Sequence, residues 1–148
     1  MPASQILPPA PQLADLLAAH RDVIIEAWLG LIRRRPDSPY AALAPQELRA
    51  AADGALAAML ESLLSGSPHP LDSHLQLVGL RRLQMGFSLG EIIDALLQAG
   101  PAALPVLLSP SAFPAEQAIG LFDAYQHRAI GYFVASYSEL TARDVREQ

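Results

Sequence analysis

The chain has 148 residues, 51% of them hydrophobic, and a formal net charge of −5, a length that fits one domain with a sizeable core. All ten basic residues are arginines, and such an acidic chain with dispersed positive charge is a poor match for a phosphate backbone, so no nucleic-acid partner is expected. The absence of cysteine excludes disulfides, thiolate catalysis and Cys-ligated metal.

Leu and Ala dominate, and Thr141 is the only threonine. Leu and Ala lose little entropy in a helix, whereas strands draw on β-branched and aromatic residues. The composition therefore predicts an all-α fold. No apolar run reaches the roughly 18 residues that span a membrane. The start, MPASQILPPAP, has neither a basic region nor an apolar segment of signal-peptide length. A cytoplasmic protein without membrane insertion is expected.

Residues 1–10 carry Pro2, Pro8 and Pro9 and read as a disordered, Pro-rich lead-in. A first helical stretch runs from about Pro11 to Arg35, with Leu13, Leu17, His20, Ile24, Trp28 and Leu31 at three- and four-residue spacing. It is either one helix or two with a bend near His20. Arg33, Arg34 and Arg35 close it, where cations meet the negative end of the helix dipole. After the loop PDSPYAALAP, a second helix covers about Pro45–Leu64, and SGSPHP breaks the chain. A third helix, about Leu71–Met85, is apolar on more than one side, with Arg82 projecting from a buried face.

The segment MGFSLGEI carries the best local signal. Gly86 is placed to end the third helix in a left-handed conformation. Ser88 and Glu91 form a capping box for a fourth helix, and Phe87 and Ile92 stand at the positions of a hydrophobic staple. The fourth helix either kinks through Pro101 and Pro105 or breaks at Gly100-Pro101. After LSPSAFP, a last helix runs from about Pro114 beyond Thr141. Its main stripe includes Ile119, Phe122, Ala129, Ile130 and Phe133. A second surface carries Gly120, Ala124, Gly131 and Ala135, bordered by Tyr125 and Tyr132. Small residues let another helix approach closely, so these six residues are the expected interface of a homodimer.

Motifs for chemistry are missing. There is no Gly-rich phosphate loop, no Gly-x-Ser-x-Gly elbow and no HExxH. Glu91 and Asp94 share a polar helix face rather than a pocket. No catalytic or metal-ligating residue is assigned, and no cofactor is expected. Three residues stand out. His20, on an apolar stripe, is either a hydrogen-bonded core histidine or a ligand. Arg82 on a buried face requires an anionic partner, either an internal Asp or Glu or an acidic ligand. His127 borders the core stripe of the last helix and suits an interface or surface role.

Trp28, the run Arg82, Gly86, Phe87, Ser88, Glu91, Ile92, Ile93, and Tyr125 on a long final helix carry a resemblance. They resemble the N-terminal domain of RsbT co-antagonist proteins, the RsbR-like sensors of bacterial stressosomes, over most of residues 12–140. The resemblance implies a globin-like bundle of about five to six helices with a long C-terminal helix, no haem, and a homodimer. It places a sensor domain at 11–140 and the start of a linker helix at 141–148. In that family the module precedes an output domain, often a STAS domain, and similar modules precede histidine kinases. The leading expectation is a non-enzymatic, dimeric sensing module of the stress response. It would pass its signal through its last helix to an output domain or a separate regulatory protein. The alternatives are a haem- or tetrapyrrole-binding globin sensor, with His20, His74 and His127 as candidate ligands, and the sensor region of a histidine kinase.

Overall fold

A computed structural model describes residues 8–111 and 113–147, with side chains through Glu139. Most of the Pro-rich lead-in lies outside these residues. Its end is anchored: Ala10 is buried, and its N–H donates to the Leu63 carbonyl at 2.7 Å. Fixed structure thus begins ahead of Pro11.

The described residues form seven α-helices and no strand: α1 Pro11–Ala19, α2 Arg21–Arg33, α3 Pro45–Ser65, α4 His69–Gln84, α5 Leu89–Leu97, α6 Ala99–Leu107 and α7 Ala115–Glu147. A 3-10 turn, Pro39–Ala42, interrupts the loop after α2. The fold is all-α, as the composition predicts. The helix count exceeds the expected five to six because the first and fourth stretches each divide.

The first division falls at His20, which caps α2 without a side-chain bond. A straight rod over both segments would run roughly 35 Å. Bending at His20 lets both α1 and α2 pack against α3 and α6. The second division falls at Gln98, earlier than the expected Gly100-Pro101. Pro101 explains the shift: its ring meets the carbonyl four residues back, that of Leu97, where α5 ends. Pro101 and Pro105 are both exposed.

The corner between α4 and α5 follows the sequence closely. Gly86 has φ +96°, a left-handed conformation that a side chain would strain. The Phe87 N–H donates to the Arg82 carbonyl and the Gly86 N–H to the Leu83 carbonyl, both at 3.0 Å, which is a Schellman closure. The Glu91 N–H donates to Ser88 Oγ at 3.1 Å, and the Ser88 N–H to Glu91 Oε1 at 2.8 Å. Phe87 and Ile92 are both buried. The core is one continuous cluster, from Leu13 and Leu17 on α1 to Tyr125 and Phe133 on α7. Helix α4 lies between α3 and α7.

Candidate functional site

The loop after α2, the end of α4 and the corner that follows it converge on one buried cation. Arg82 is only 3% exposed. The corner fixes it, because its own carbonyl closes the Schellman motif. Its guanidinium carbon lies 5.9 Å from the Tyr40 ring centroid and 5.8 Å from that of Phe87. The two rings meet edge to face at 4.7 Å. Nη1 donates to the Met85 sulfur at 3.4 Å, a weak acceptor. The guanidinium also bonds the Tyr40 hydroxyl. Burial raises that phenol's pKa, while the charge of Arg82 pulls it back down. Nε has no hydrogen-bond partner, and no carboxylate pairs with Arg82 among the described residues. The internal Asp or Glu considered from sequence is therefore not its counter-ion.

Arg82 forms part of the wall of a cavity of about 50 Å³ between α2, α3, α4 and α5. His74 lies on the same wall. Its ring bonds the Ala51 carbonyl, and burial lowers its pKa. His74 Nε2 is buried without a partner. The rest of the lining is largely apolar, with Trp28, Ile32, Leu48 and Leu75. A second cavity of about 40 Å³ shares the walls Trp28, Ala55, Leu75 and Leu96 and reaches Phe122 and Gln126 on α7.

The break between α5 and α6 frames these cavities. Helix ends leave carbonyls without intrahelical partners. The Trp28 indole donates to the Ala95 carbonyl at 2.8 Å, and Gln126 Nε2 donates to the Leu96 carbonyl at 2.6 Å. A second buried polar contact joins α4 to α7: Arg128 Nη2 stands 3.6 Å from Asp72 Oδ2. Burial raises the Asp72 pKa against the pull of Arg128 and His69.

The sequence-derived candidates scatter. His20 is exposed at the α1–α2 junction, not in the core, because the bend there takes it off the stripe. His127 is exposed on α7, its Nδ1 2.9 Å from the Asp123 carbonyl. Of the three candidate haem ligands, His20 and His127 are exposed and His74 borders the cavity beside Arg82, a space many times smaller than a tetrapyrrole. The residues present do not fit haem. Tyr125 also needs correction as an interface residue. It is 1% exposed, because it falls one turn from Phe122 and Ala129 on the buried face, and its hydroxyl shares its hydrogen between the Pro8 and Ser62 carbonyls at 3.1 and 3.2 Å. Gly120, Gly131, Tyr132 and Ala135 are exposed and Ala124 is half-buried. A Cβ on Gly120 or Gly131 would meet nothing within 4 Å.

Sequence reasoning passed over Gln126, Asp72 and Arg128. The signal for Gln126 was present: Phe122, Gln126, Ala129 and Phe133 keep helical spacing, and a polar residue inside such a stripe must find a partner.

A family model described as RsbT co-antagonist protein rsbRD N-terminal domain matches residues 22–148. The chain belongs to this family. The match takes in α2 from its second residue through α7, and with them the residues that line both cavities; α1 lies ahead of it. No curated protein and no solved structure matches the chain. No helix among the described residues is long and apolar enough to cross a membrane.

Proposed function

We propose that this rsbRD-type domain is a cytoplasmic, non-enzymatic regulatory module that works as a homodimer through α7. The observation that carries the reading is the outer face of that 33-residue helix. Its inner face is buried in the core, while Gly120, Gly131 and Ala135 line the outside with open space above the glycines and Tyr132 45% exposed beside them. Such a surface admits a second helix at short range, and paired final helices transmit a shift or rotation to a domain beyond Gln148 or to a separate regulatory protein. Family membership favours an RsbT-related stress pathway over a kinase.

Light scattering and sedimentation at micromolar concentration test this. The wild-type chain should run as a dimer. Gly131→Arg and Ala135→Arg should give monomers with unchanged helical circular dichroism. A wild-type monomer, or dimers unaffected by both substitutions, would overturn the assignment of the interface.

A further inference from the structure

We propose that the paired cavities beside Arg82 bind a short-chain monocarboxylate, with its carboxylate on the Arg82 guanidinium and its alkyl chain along Trp28. Arginine stays protonated in a protein, so burial cannot neutralise it. An unpaired buried charge is costly, and the means that keep it affordable are pairing and hydrogen bonding. Arg82 has two aromatic faces, a phenol and a thioether, yet its Nε–H is unpartnered and no carboxylate is within pairing distance among the described residues. The charge of Glu91 reaches Tyr40 but its carboxylate does not pair with Arg82, so an anion on the guanidinium would complete its partners.

The surrounding space defines the rest of the ligand. A water molecule needs about 10–15 Å³ of such volume, so the nearer cavity holds about four heavy atoms and the two together about seven. The further cavity is lined by apolar side chains apart from Gln126, whose amide already donates to the Leu96 carbonyl. One cation at one end and hydrocarbon at the other suit a monoanion with a short alkyl chain. A phosphate or a dicarboxylate would bring a second charge into a site with no second cation on its walls. Besides Arg82 the wall carries Tyr40 and His74, and burial lowers the His74 pKa, which disfavours a second positive charge there. Oligomeric state plays no part in this argument, so a monomer would leave it standing and a dimer would not support it.

Trp28 is the only tryptophan in the chain and lines both cavities, which makes its fluorescence a direct reporter. The full chain is titrated with sodium butyrate, with butyramide as the neutral isostere and sodium chloride at matched ionic strength. Butyrate should give a saturable change in Trp28 emission and a higher melting temperature, and neither control should do so. Arg82→Met should weaken butyrate binding at least tenfold. Ala55→Leu keeps the charge and adds bulk on a wall that the two cavities share, and it should weaken binding to a similar degree. It decides the matter if Arg82→Met fails to fold. The proposal is overturned by no saturable response in the folded wild type, by an equal response to butyramide or chloride, or by unchanged affinity in either folded variant.

Discussion

A methyl group added at Gly79 sets two opposing energies against each other where α4 meets α7. Alanine is the better helix former by about 0.8–1.0 kcal/mol. The ideal Cβ, however, would stand 2.5 Å from Phe133 Cζ and 3.0 Å from Cδ1, and closer still to Cε1. Carbon atoms pack best at about 3.5–4.0 Å, so the ring must move by roughly 1 Å or more. Phe133 is 1% exposed and has nowhere to go without displacing other core residues or pushing α7 outward. Overpacking of this kind costs about 1–3 kcal/mol. The clash wins, and Gly79→Ala should destabilise the domain by about 0.5–2 kcal/mol, or roughly 2–6 °C in melting temperature for a chain of this size. Gly30→Ala is the control: it is exposed in α2 with nothing within 4 Å of a Cβ, so it should stabilise by about 0.5–1 kcal/mol. In a Phe133→Leu background, Gly79→Ala should become neutral or stabilising. Denaturant unfolding of the wild type, both single variants and the double variant closes the cycle, with an expected coupling of at least about 1 kcal/mol. Stabilisation by Gly79→Ala alone, or a coupling near zero, would refute the steric argument.

Trp28→Phe removes the donor to the Ala95 carbonyl, which stays buried; unfolding followed by circular dichroism should show a loss of about 1–3 kcal/mol. Ser88→Ala deletes the cap of α5 and should cost about 0.5–2 kcal/mol in the same assay. Stability should also depend on pH through His74. Its folded pKa lies below the unfolded value of about 6.5, so its contribution is present above that pH and is lost as pH falls toward the folded pKa, with a slope of at most about 1.4 kcal/mol per pH unit. Melts from pH 8 to pH 5 should show this loss, and His74→Gln should flatten it. Asp72 has the opposite sign: its raised pKa gives stability below about pH 4 that is lost as pH climbs through the folded value.

The fold was legible wherever a local rule decided it. Pro45, Gly86, Ser88 and Glu91 act within a few residues of themselves, and each is found in the role its type and spacing assign. The divisions at His20 and Gln98 are less local. Nothing in the side chain of His20 breaks a helix; the bend comes from packing α1 and α2 on the same two neighbours. Pro101 did announce a disturbance, but its steric effect falls four residues upstream, which moved the end of α5 from the expected place.

The candidate site was half legible, for a related reason. Periodicity alone puts Arg82 on a buried face and so raises the question of its counter-charge. The answer depends on Tyr40 from the loop after α2, Phe87 from the corner and Met85 from the end of α4, none of which signals its approach in sequence. A carboxylate could have stood among them. Asp72, the buried acid on the same helix, faces Arg128 of α7 instead. Ten residues separate Asp72 from Arg82, close to three helical turns and so about 15 Å along the axis, too far for one to neutralise the other. The acid serves the contact with the final helix. The base is left on the wall of the cavity, with no carboxylate paired to it among the described residues.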